Sequence, residues 1–138
     1  MMAAVSINYW AVLAATIAAI VLGFLWYGPL FGKVWMQLMG MDKKKMDKNM
    51  KKQMTKSYII LVITTLITSY VLAHFVKYLG TTVSDALQTA FWTWLGFVAT
   101  IQIGIVLWDG KPWKLYFINV AHQLVSLAVM ATILALWH

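Results

Sequence analysis

Four long apolar stretches divide this chain, at residues 7–27, 57–78, 83–108 and 113–137, and only short polar breaks separate the last three. Each is near the 20 or so residues that a helix needs to cross a bilayer core about 30 Å thick. The pattern therefore predicts an all-α polytopic membrane protein. Its four transmembrane helices form two hairpins in a single domain over residues 1–138. The one long polar stretch, residues 30–56, becomes a connector holding a basic interfacial helix between helices 1 and 2. No Lys precedes the first stretch, which lacks the basic start of a signal peptide and is expected to remain as a span.

Each stretch has faces. In the first, Ala11, Ala15, Ala19 and Gly23 recur every four residues. They form a smooth ridge that lets another helix approach closely. The stretch closes on Trp26-Tyr27-Gly28-Pro29, an aromatic pair suited to headgroup depth followed by helix breakers. Residues 30–40 are too short and too polar to span, and are expected at the interface with Trp35 and Leu38 dipping inward. In the second stretch, Thr64, Thr65, Thr68 and Ser69 can bond their own helix's carbonyls and so do not demand a pathway.

Thr82 to Asp85 reads as a capping box opening the third stretch, where Gly96, Thr100 and Gly104 make a second ridge. Trp92 and Trp94 fall well inside that span. Packing within the bundle is the expectation for both, and lining a cavity is the alternative. The fourth stretch carries Asn119, His122, Gln123 and Ser126 on one helical face, the most polar stripe in any span. Gln102 lies about 9 Å from its end of helix 3 and Asn119 about 10.5 Å from the start of helix 4. A tight hairpin brings them to similar depth, so Gln102 and Asn119 are read as interhelical glue. His122, the only titratable side chain near mid-span, is read as cavity-exposed.

Composition sharpens this reading. The chain is 62% hydrophobic and 11% charged, against about 25% charged in ordinary soluble domains. Seven of its eleven Lys (Lys43, Lys44, Lys45, Lys48, Lys51, Lys52 and Lys56) lie in one run, and there is no Arg or Glu. Lys-rich connectors stay on the cytoplasmic side. That side then holds the run together with Lys33, Lys111 and Lys114, leaving Lys77 outside with both termini. The net charge of +7 points to anionic lipid headgroups at the run rather than to nucleic acid. Met46, Met50 and Met54 stand four apart in the run, a soft apolar stripe; a thioether metal site is disfavoured among so many ammonium groups. With no Cys, thiolate chemistry is excluded.

Residues 22–36 read Leu-Gly-Phe-Leu-Trp-Tyr-Gly-Pro-Leu-Phe-Gly-Lys-Val-Trp-Met, with Trp26, Tyr27, Gly28, Pro29, Gly32, Lys33 and Trp35 as its marked positions. This stretch resembles the signature of a family of small bacterial membrane proteins, domain-of-unknown-function family 1761. Residues 94–100 and 107–137 are similar to that family's third and fourth spans. The family has no assigned activity. The resemblance implies a four-span protein of a bacterial inner membrane and transfers no catalytic residue.

An enzyme is not expected. Asp42, Asp47, Asp85 and Asp109 fall in connectors or at span ends, and His74, His122 and His138 are scattered. No nucleophile, base and orienting group come together, and no metal or cofactor is expected. The spans carry no Asp, Glu, Lys or Arg at mid-depth, which argues against a carboxylate proton relay. The preferred reading is a structural, lipid- or partner-binding membrane protein that self-associates. The alternative is a homo-oligomeric channel or transporter for a small or weakly polar solute, lined by the polar face of helix 4.

Overall fold

Asn8 opens the first helix: its side-chain oxygen accepts from the N–H groups of Trp10 and Ala11 at 3.0 and 3.3 Å, filling donors that a helix start leaves empty. The computed structural model describes residues 5–40 and 48–138, and they are helical throughout apart from short connections. In chain order they are α1 (Tyr9–Leu25), a π-type turn (Trp26–Leu30), α2 (Gly32–Met39) and α3 (Lys48–Leu79). There follow α4 (Val83–Trp94), a second π-type turn (Leu95–Ala99), the short turns α5 (Thr100–Gln102) and α6 (Gly104–Leu107), and α7 (Trp113–Leu136). Among the described residues, four helical stretches are long and apolar enough to cross a membrane: Tyr9–Leu30, Lys52–Leu79, Val83–Leu107 and Trp113–Leu136.

Helix α7 is the hub. It packs along α4 on one side and α1 on the other, and α1 also packs on α3. At the contacts the residues are small: Ala15, Ala86, Ala90 and Ala131 are completely enclosed. Without a hydrophobic driving force between helices in lipid, such close backbone approach supplies the dispersion contact that holds a bundle together. The ridge expected on the first helix is used in this way, since Ala11, Ala15 and Ala19 are all buried. One polar bond pins α3 to α1: the enclosed Ser69 hydroxyl donates to the Val12 carbonyl at 2.9 Å. The Thr16 hydroxyl donates to the same carbonyl at 2.8 Å.

The outward faces are apolar. Ile59, Ile60, Ile63 and Ile67 of α3 are each more than half exposed, the arrangement expected where the solvent is acyl chain rather than water. The start of α1 and the end of α7 lie together, with the Asn8 amide donating to the Trp137 carbonyl at 3.3 Å. At the far end of the same helix pair, the Trp26 indole donates to the Ile118 carbonyl at 3.2 Å. Helices α1 and α7 therefore run antiparallel.

Three elements differ from the sequence reading. The first span does not stop before Gly28-Pro29. It widens instead, so that the Phe31 N–H reaches the Trp26 carbonyl five residues back at 2.9 Å. Pro29 sits inside this turn, where its missing N–H is accommodated by the looser hydrogen-bond ladder. Second, Lys48–Lys56 forms the first turns of α3, one continuous 32-residue helix. At about 48 Å it overreaches an apolar slab of about 30 Å, so its basic start projects beyond that slab. Residues 41–47, with Lys43, Lys44, Lys45 and Met46, lie outside the described residues. Third, the ridge on the third span is not buried within the chain. Gly96 and Thr100 are exposed, and a Cβ built on Gly96 would meet nothing within 4 Å.

Candidate functional site

The π-type turn ending the first span brings two aromatic heads against the polar face of α7. The Tyr27 hydroxyl donates to Asn119 Oδ1 at 2.7 Å, while the Trp26 indole N–H caps the Ile118 carbonyl. An extra residue in a turn rotates everything after it relative to a regular helix. His122, one turn beyond Asn119, lies between the same two rings. Its centroid is 5.0 Å from Tyr27 in an edge-on contact and 5.9 Å from Trp26. Two more rings extend the cluster, Phe31 at 4.9 Å from Trp26 and Trp35 at 5.5 Å from Tyr27.

Glycines make room for this packing. A Cβ on Gly23 would lie 3.6 Å from His122 Nε2, so α1 meets the imidazole with its smallest side chain. A Cβ on Gly32 would come within 2.7 Å of the Tyr27 carbonyl oxygen. That position admits no larger residue without a backbone shift, which explains Gly there physically. Gly28, by contrast, faces open space, and Pro29 and Lys33 are exposed.

A second pair of polar aromatic heads closes the other side of α7. The Trp94 indole donates to the Val120 carbonyl at 2.7 Å. The Tyr116 hydroxyl donates at 2.6 Å to the carbonyl of Ala99, the last residue of the second widened turn. Aromatic heads buried in an apolar span need partners, and here each finds a carbonyl or amide on the neighbouring helix. Trp92 behaves differently from Trp94: it is 64% exposed and lines a cleft rather than packing inside.

The expected polar stripe is thus only partly one site. Asn119 and His122 meet at the aromatic cluster, and Ser126 is buried further along α7. Gln102 and Gln123 are half-buried, and among the described residues no hydrogen bond joins Gln102 to Asn119, whose amide oxygen is taken by Tyr27. His122 was expected to face a cavity. Both of its ring nitrogens are instead buried, and neither has a hydrogen-bond partner. A neutral imidazole carries one donor and one acceptor, so the site holds one ligand-capable side chain but no chelating set. Among the described residues, no three His, Asp, Cys or Glu cluster to hold a metal ion. Of the basic run, Lys52 and Lys56 are exposed, and Lys48 and Lys51 lie on α3.

What the sequence could not supply was the pairing of Tyr27 with Asn119, since 92 residues separate them. The available signal was chemical. Two aromatic heads and an amide at comparable distances from their helix ends each required a partner.

A family model described as a protein of unknown function (DUF1761) matches residues 10–135. The match covers the whole bundle, the aromatic cluster and the polar face included. Comparison with curated proteins and with solved structures returned no match.

Proposed function

The chain belongs to this family of unknown function, DUF1761, and on that footing we propose a structural, partner-binding protein of the bacterial inner membrane that self-associates. The single observation carrying this reading is that the α7 polar groups beside the two aromatic pairs are engaged inside the chain. Asn119 bonds Tyr27, and the Ile118 and Val120 carbonyls take the two indole N–H groups. A pathway would need those groups turned toward water.

Self-association uses the surface left over. Gly96 and Thr100 form a smooth strip on the outside of the third span with nothing from the same chain against it. Helices in lipid join best through such strips. The four spans form two hairpins with both termini outside. The basic connector rests on anionic headgroups of the cytoplasmic leaflet, where each Lys near the surface contributes about 1 kcal/mol. No catalytic reaction is proposed.

A channel or transporter for a small solute is the second reading, and the orphan ring nitrogens of His122 are what favour it. Reconstitution separates the two. Purified protein in liposomes should form a defined oligomer yet pass no small solute above the empty-liposome rate. Solute flux that His122→Leu abolishes would favour the channel.

A further inference from the structure

The end of the bundle where α3 passes into α4 carries a cavity of about 250 Å³, bordered by Leu79, Asp85, Gln88, Thr89, Trp92 and Thr93. Asp85, Gln88, Thr89 and Trp92 follow the 3, 4, 7 spacing of one helical face. The cleft therefore runs along α4 for about 10.5 Å between its carboxylate and its indole.

The carboxylate is the unusual part. In a complete capping box the third residue's side chain would reach back to the N–H of the capping residue. Only half of that box forms here: the Thr82 hydroxyl accepts from the Asp85 N–H at 3.0 Å, and no return bond is made. Instead the Asp85 side chain lies over Gly80, where φ is +146° and a Cβ would come within 2.7 Å of the carboxylate carbon. Among the described residues no donor and no Lys pairs with it. Lys77, in the last turn of α3, borders a separate, much smaller cleft with Asn8, Trp137 and His138. The start of α4 favours negative charge, but among the described residues no hydrogen bond reaches the carboxylate oxygens.

The remaining lining suits a cation with an apolar body. Trp92 offers an indole that is 64% exposed, an apolar wall for a chain extending away from the carboxylate. Gln88 uses its amide nitrogen on Ser84 at 3.4 Å, which leaves its carbonyl as an acceptor toward the cleft. Leu79, 65% exposed, supplies apolar wall. Anionic ligands find no cationic side chain among these residues.

We propose that this cleft binds an amphipathic ammonium, its charged head on the Asp85 carboxylate and its first methylenes along Trp92 and Leu79. That chemistry belongs equally to the headgroup of an ethanolamine lipid and to a free long-chain amine. The proposal rests on insertion of the bundle in a bilayer and not on self-association, so a monomeric protein leaves it standing.

The test uses the full chain in a neutral maltoside detergent. Dodecylammonium below its micellar concentration, dodecanol as the uncharged match, and ethanolamine and glycerol phospholipids of identical acyl chains are titrated in turn. Dodecylammonium should bind saturably, with Asp85→Asn weakening it about tenfold and Asp85→Glu restoring most of the loss. Trp92→Leu should weaken it without changing helicity, and it decides by the same criterion if Asp85→Asn fails to assemble. Asp85-dependent retention of the ethanolamine lipid over the glycerol lipid identifies the headgroup as the source. Dependence seen with dodecylammonium alone identifies a free amphiphile. Equal binding of dodecanol, or carboxylate-independent binding in both arms, overturns the proposal.

Discussion

The Tyr27 hydroxyl and the Asn119 amide oxygen lie 2.7 Å apart, joining the signature turn of the first span to the polar face of the last. Interhelical hydrogen bonds in membranes average about 0.6 kcal/mol and reach about 1.7. Tyr27→Phe should lower the unfolding free energy in detergent by an amount in that range. Asn119→Leu should cost similarly, and the double variant should cost less than the two together, because each single change strands the other's polar group. Strict additivity of the two effects would show that the bond is not made in the membrane.

Gly32 and Gly28 share one turn but meet different surroundings. Gly32→Ala forces a methyl toward the Tyr27 carbonyl, whereas Gly28→Ala enters open space. Overpacking of this kind costs about 1–3 kcal/mol, so Gly32→Ala should lower the thermal midpoint clearly and Gly28→Ala should leave it nearly unchanged. Equal effects from both would contradict the geometry of the turn.

Much of the fold was legible because lipid simplifies the code. Four apolar runs of spanning length have few alternatives, and the ridge of Ala11, Ala15 and Ala19 is buried as its spacing implies. The site was legible only in halves. Asn119 and His122 announced a polar face, and Trp26 and Tyr27 announced a motif, but no periodicity relates helices so distant in sequence. Trp92 and Trp94 show a different limit. Two residues apart, they point to nearly opposite sides of a helix at 100° per residue, so both could not pack inward. Which one does depends on where α7 lies. The two π-type turns left no trace either, because widening by one residue is decided by tertiary contacts such as Tyr116 on the Ala99 carbonyl.

The two small-residue ridges should now separate in experiment. Ala15 is fully enclosed, so Ala15→Leu should destabilise the single chain by about 1–3 kcal/mol. A Cβ on Gly96 meets nothing within 4 Å, so Gly96→Leu should leave that stability nearly intact while reducing the oligomeric mass in mild detergent. A strictly monomeric parent, or an unchanged mass for Gly96→Leu, would remove self-association from the proposed function.

The proposed orientation is tested by position-specific reporters. An enzyme active only in the periplasm should be active when fused after His138 and silent when inserted near Asn49. The reverse pattern would invert the bundle and put its basic connector on the wrong leaflet.

Whether the polar face of α7 is sealed packing or a wet route is tested most directly at His122, whose ring nitrogens are buried among Trp26, Tyr27 and Gly23. The chain has no Cys, so His122→Cys introduces a single thiol. Ser84→Cys and Asp109→Cys, at exposed positions in the first turn of α4 and in the connection before α7, serve as controls. In native membranes opened to both sides, a small water-soluble thiol reagent should label both controls and leave position 122 unmodified until detergent unfolds the protein. Labelling at position 122 at a rate near the controls would mean that water reaches mid-span, and the sealed-bundle reading would give way to the channel.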